Sequence, residues 1–189
     1  MRSQLVVRSA QPADAQVLLE LWADVVRKSE RADQLADVRS VIERAANSDT
    51  ERVVVVEYDG EPAGAVHLRA GTISTLNLER VVQVVSPSVL PHFRRHGVGR
   101  ALIDAAVSFA EEHGIACVGT AVSAGNRDAN RFMARLGLGP VATLRVAPTQ
   151  LVRSKLTLQR PQASRHTGRQ LTQVLAARRS MRRHETANS

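Results

Sequence analysis

The sequence predicts an α/β fold: a mixed central sheet of six to seven strands with about four helices, its fourth and fifth strands running parallel. Three observations lead there. β-Branched runs recur between turn residues, most clearly Val53–Val56 and Val81–Val85. Asp59-Gly60 separates two apolar runs and marks an antiparallel hairpin. The strand at 81–85 is followed by a glycine turn, a helix-periodic segment at 100–113 and another strand at 115–122. A helix between two strands makes a parallel crossover.

Taken in order, Leu5-Val6-Val7 is a short apolar strand. Pro12-Ala13-Asp14 opens a helix, with proline near the first turn and an acid behind it. Val17, Leu18, Leu21, Trp22 and Val25 form its apolar stripe to about Lys28. A solvated linker over 27–33 leads to a second stripe, Leu35, Val38, Val41, Ile42 and Ala45. Strands at 52–58 and 63–68 flank the hairpin turn, and Gly71-Thr72 breaks the second. After 81–85 the chain turns through Pro87 and Pro91. The helix at 100–113 carries Ala101, Leu102, Ala105, Ala106 and Phe109 inward, and Gly114 stops it. Glu111 and Glu112, unfavourable for the helix dipole, are read as solvated surface. The strand at 115–122 holds Cys117 as a buried, inert thiol. A last helix follows Asn126, and 141–147 and 151–158 read as the last two strands.

The 189 residues suit one domain of ordinary size. Apolar content is 43% but aromatics only 3%, so Val, Leu, Ala and Ile must build the core. A single cysteine excludes an internal disulfide framework and any cysteine-based zinc cluster, and no metal is expected. No apolar signal core opens the chain and no run is long enough to span a bilayer, so a cytoplasmic protein without a membrane span is expected. The net charge is +8, of which the segment 160–189 contributes +6: seven arginines against Glu185. The domain is thus set at 1–159, with 160–189 a basic, flexible, solvated tail. Contact of that tail with nucleic acid, another acidic partner or a second subunit in a homodimer stays open, although no tail aromatic offers a base a stacking surface.

The stretch 81–102 is the chemical centre of the chain. Strand, basic glycine loop and helix together form a phosphate-holding device. Free N–H groups at a helix start point outward, and the helix dipole adds positive charge. Gly97 and Gly99 let the backbone approach an anion closely, and Arg94 and Arg95 add donors suited to phosphate. The spacing is neither that of a P-loop nor G-x-G-x-x-G, since position 102 is Leu. Pro91-His92-Phe93-Arg94-Arg95-His96-Gly97-Val98-Gly99 instead resembles the acyl-CoA loop of the GNAT superfamily of N-acetyltransferases. A second stretch, Asn126-Arg127-Asp128-Ala129 through Phe132 to Leu136-Gly137-Leu138, resembles that family's second signature. The resemblance covers roughly residues 4–159.

The resemblance implies acetyl-CoA, or another acyl-CoA, as co-substrate and a splay between the fourth and fifth strands that admits the pantetheine arm. It implies cofactor contacts from Val89, Leu90, Arg94, Arg95, His96, Gly97, Val98, Gly99, Arg100 and Asn126, with a main-chain N–H near Val89 or Leu90 polarising the thioester carbonyl. It also implies a primary amine as acceptor: small molecule, peptide N-terminus or protein lysine. Two positions depart from the family pattern. Met133 stands where many members carry a tyrosine that protonates the thiolate, and a thioether donates no proton. Gln83 stands where many carry a glutamate base. Glu79 and His92 are the nearest titratable candidates for acid and base. These departures leave two readings, a working N-acetyltransferase and a GNAT-fold module that binds acyl-CoA without turnover.

Overall fold

The Val53–Val56 run does not alternate between core and solvent; it alternates between two cores. In the computed structural model, which describes residues 4–123 and 125–159, all four valines are buried. Val54 and Val56 join Leu68, Val82, Leu102, Ala106 and Phe109 on one face of a sheet. Val53 and Val55 join Leu18, Trp22, Val38 and Ile42 on the other. A strand covered on both faces reads as a continuous apolar run, and each fully buried valine contributes about 1.5–3 kcal/mol.

The described residues fall into two units, up to Gly139 and from Pro140 onward, and each is taken by itself. In the first, β1 (Leu5–Ser9) is followed by a 3-10 turn at Pro12–Asp14, α1 (Ala15–Leu21) and α2 (Arg31–Ala46). Then come β2 (Glu51–Tyr58), β3 (Glu61–Thr72), β4 (Arg80–Val89), α3 (Val98–Glu112), β5 (Val118–Thr120) and α4 (Arg127–Arg135). The strands form one sheet in the order β1-β2-β3-β4-β5. Its pairings are antiparallel except for the parallel β4–β5 pair. Helices α1 and α2 cover one face and α3 the other.

Two polar clusters fasten the edges. Arg8 donates to both carboxylate oxygens of Asp14, at 2.7 and 2.8 Å, and to Glu57 at 2.6 Å, tying β1 to the start of α1 and to β2. The hydrogen-bonded Arg8 guanidinium holds the buried Asp14 carboxyl below its usual range against the opposing effect of burial. Arg52 pairs with Glu112 at 2.9 Å and lies over the Phe109 ring at 4.8 Å. The acid at the end of α3 is therefore a tie to β2 and not merely solvated surface.

Several expectations are corrected. The sheet has five strands among the described residues, not six or seven. In the second unit, 140–148, spanning the strand expected over 141–147, carries no regular element, and 151–158, read as a strand, lies in α5 (Thr149–Leu158). Its apolar residues fit both periods, since Val152 and Leu156 are four apart and Leu151 and Leu158 seven apart. Good helix formers behind Pro148 decide for the helix. The first helix ends at Leu21 rather than near Lys28, because Trp22 leaves helical geometry at φ −111°, ψ 16°. β4 runs past Val85 to Val89, through the proline read as a turn. Cys117 lies ahead of β5, is only partly buried, and faces Glu79 with its thiol 3.4 Å from a carboxylate oxygen. That hydrogen bond, with some burial, pushes the thiol above its usual range. The 160–189 segment and its proposed contacts lie outside the described residues.

Candidate functional site

The site begins with a fault in a ladder. Along β3–β4, His67 faces Val85 but Ala65 faces Ser88, so Ser86 and Pro87 together oppose one β3 residue. This is a β-bulge. Ser86 adopts a left-handed φ of +49°. The Trp22 indole N–H donates to the Ser86 carbonyl at 2.9 Å, and the Ser88 hydroxyl donates to it at 3.2 Å. A proline is tolerated here because a bulge leaves its residue without a ladder bond.

Beyond the bulge the ladder resumes with the opposite sense. Leu90 N–H donates to Ala63 carbonyl at 2.9 Å. In antiparallel pairing the neighbouring pair, Gly64 and Val89, is then of the non-hydrogen-bonded kind, and Val89 N–H projects away from β3. On that side β5 pairs only with Val82–Val84. The last five residues of β4 thus have no strand partner on that side among the described residues, and Val89 N–H faces that side. Of the two amides expected to polarise a carbonyl, Leu90's is already engaged, and Val89's has no acceptor among the described residues.

The loop after β4 supplies the anion site. Pro91–Phe93 is a 3-10 turn, and α3 starts at Val98 behind Gly97, whose φ is +88°. Arg95 also lies in the left-handed region at +66°. Among the described residues, the N–H groups of His96, Gly97, Val98, Gly99 and Arg100 have no protein acceptor. Arg94, Arg95 and Arg100 are exposed around them. Such a run of amides with alternating handedness forms a concave anion nest, reinforced by the dipole of the 15-residue α3. Tyr58 braces the loop from β2, its ring 5.6 Å from Phe93 and 5.0 Å from His96.

Gly99 brings bare backbone close to the end of β4 and to α4: a Cβ there would lie 3.7 Å from Phe132 and 3.9 Å from Val89. The other expected residues are placed as follows. Asn126 caps α4, its side-chain oxygen accepting from Ala129 N–H at 3.1 Å. His96 is engaged through Nδ1 with the Arg94 carbonyl. His92 is exposed on the loop, its ring 4.2 Å from that of Phe93. Met133 is buried in the core under α3. Gln83 donates to the Thr72 carbonyl at 3.3 Å. Glu79 precedes β4, ten residues from Val89, which at about 3.3 Å per residue puts it roughly 30 Å away at the other end of the strand. Trp22, Ser86, Gly64 and Phe132 belong to the site's frame and are absent from the sequence-based set; the Ser-Pro-Ser interruption of a valine strand is a signal that could have marked Ser86, and the other three carry none.

The sequence pattern of the Acetyltransferase (GNAT) family matches residues 17–138. The chain belongs to this family. It is 34% identical over 89 residues to an uncharacterized N-acetyltransferase of Methanocaldococcus jannaschii, a match spanning 47% of this chain and 39% of that one. This GNAT chain thus spans well under half the length of that relative. Its fold is similar to that of a transcriptional regulator from Bacillus halodurans C-125, with a TM-score of 0.65, 16% identity, and coverage of 77% of this chain and 100% of that one. It is also similar to an aminoglycoside N-acetyltransferase in complex with CoA, with a TM-score of 0.63, 19% identity, and coverage of 79% and 97%. At such identities the likeness shows the fold alone. Among the described residues no helix is long and apolar enough to cross a membrane. The residues of this GNAT chain fit an acyl-CoA: amides with no acceptor among the described residues and three exposed arginines beside them, a backbone without a side chain at Gly99, and an outward amide at Val89.

Proposed function

We propose that this GNAT acetyltransferase moves an acyl group from acetyl-CoA to a primary amine. The observation that carries the reading is the outward Val89 N–H at the unpaired end of β4, near side-chain-free Gly99 and the amide nest at the start of α3. Bound acetyl-CoA supplies an activated acyl group as a thioester. The nest and Arg94, Arg95 and Arg100 hold its diphosphate. Val89 N–H donates to the carbonyl oxygen as charge develops there, a task that requires no particular side chain. Holding amine and carbonyl together supplies much of the remaining acceleration. The amine must shed a proton, since an alkylammonium with pKa about 10.4 is almost wholly charged at neutral pH. Of the two candidate acid–base residues, His92 stands on the cofactor loop, and Glu79 stands at the far end of β4. The proposed proton acceptor is therefore His92 or water at the unpaired end of β4.

A second reading rests on Met133 and Gln83: two positions where this family often carries titratable groups hold a buried thioether and an amide bonded to the backbone. It describes an acyl-CoA-binding module without turnover. Calorimetry with acetyl-CoA and a thiol-release assay over a panel of small amines, peptide N-termini and lysine peptides separate the two. Acceptor-dependent CoA release above hydrolysis supports the enzyme. Tight acetyl-CoA binding with no such release supports the module, and no binding overturns both.

A further inference from the structure

We infer that Trp22 is a positioning residue: its indole N–H pins the β4 bulge at Ser86 and thereby sets the direction of the Val89 amide. The inference rests on the acyl-CoA reading and deepens it. Trp22 is the only tryptophan of the chain. It stands immediately after α1, 6% exposed, with its ring in the core that α1 and α2 form against the sheet. A buried indole needs an acceptor. It finds one on neither helix but on β4, 64 residues away, at 2.9 Å.

That acceptor is the point at which β4 changes register. Ser86 is a non-glycine residue with a φ of +49°, a conformation that persists only where its surroundings impose it. Pro87 cannot donate a ladder bond, so the two residues opposing one position of β3 are not held by β3 alone. The Ser86 carbonyl instead takes two side-chain donors, from Trp22 and from Ser88. From the opposite strand, Gly64 lies so close that a Cβ would stand 2.7 Å from the Ser88 carbonyl oxygen. The bulge is thus fixed from the helix side and crowded from the strand side.

Its loss has a definite consequence. Slipping the strand end by one residue reverses the face and edge that every following group addresses. Val89 N–H would turn towards β3, and the unpaired side would present a carbonyl where it now presents a donor. The diphosphate nest starts seven residues later and is braced separately by Tyr58. Trp22 therefore governs carbonyl polarisation and not the grip on CoA.

The test replaces Trp22 with benzothienylalanine, which keeps the ring's shape and puts sulfur in place of the N–H; Trp22→Phe serves as a second variant. CoA affinity is measured by calorimetry, and the carbonyl resonance of acetyl-CoA labelled with carbon-13 at the carbonyl is recorded in the bound state. Expected is unchanged CoA affinity in all three proteins, a downfield carbonyl shift on binding to the wild type, and loss of most of that shift in both variants. Acetyl-CoA turnover then falls about 10- to 100-fold at unchanged KM. Wild-type carbonyl shift and turnover in the benzothienylalanine protein overturn the inference and leave the acyl-CoA reading standing. A wild-type protein that binds no CoA overturns that reading, and the inference with it.

Discussion

Gly97 lies where backbone conformation and ligand charge can be separated by two substitutions. Its φ of +88° is left-handed, and an added Cβ meets Leu5 Cδ1 at 3.3 Å. Leu5 is 38% exposed on the edge strand β1 and can yield, so the conformation dominates the cost. Gly97→Ala should therefore lose about 1–2 kcal/mol of stability, a fall of roughly 3–8 °C in melting temperature for a unit of this size. Gly97→Glu carries the same backbone cost and adds a carboxylate. About 6 Å from a diphosphate of charge about −2, at an effective dielectric constant of about 40–80, the repulsion is roughly 1.4–2.8 kcal/mol, a loss of about 10- to 100-fold in affinity. Thermal melts of both variants and calorimetric titration with CoA measure the two terms. Equal CoA affinity in the Ala and Glu variants would refute the placement of the diphosphate at this nest. An unchanged melting temperature in Gly97→Ala would refute the left-handed turn itself.

Three further predictions test the frame. Val89→Pro removes the outward N–H without breaking a β3 ladder bond, so melting temperature and CoA binding should hold while acceptor-dependent thiol release drops about 100-fold or more. Gly64→Ala places a Cβ 2.7 Å from the Ser88 carbonyl oxygen and 2.8 Å from Val98 Cγ1; denaturant unfolding should show a loss of about 1–3 kcal/mol. Burial pushes the His67 imidazole below its usual range, against the pull of Glu51 at 3.2 Å. The unfolded ring takes its proton near pH 6.5, so between that pH and the lower folded value the unfolded chain binds more protons and stability falls as pH falls. Stability curves should accordingly be flatter below about pH 6.5 in His67→Gln than in the wild type.

What was legible in the residues alone was what neighbours along the chain decide. Asp59-Gly60 makes its hairpin with both residues left-handed, as such a turn requires. Gly97 and the stripe from Leu102 to Phe109 specify a helix start with free amides, because capping and helical period involve only adjacent turns. The valine runs declare buried strands. The helix between 81–85 and 115–122 declares the parallel pair. The rest was settled by contacts no short window contains. Ser86-Pro87-Ser88 has the composition of a turn, yet it lies within a strand paired with β3, its carbonyl at Ser86 accepting from Trp22, 64 residues earlier. Whether Val89 or Leu90 offers a free amide depends on a register set by Ala63 across the sheet. Glu79 and His92 are both titratable candidates in the chain, yet an extended β4 carries Glu79 to the opposite end of the sheet from the loop that holds His92. Local turns follow from local conformational preference; the direction of a single amide follows from strand register, and register is a property of the packed sheet.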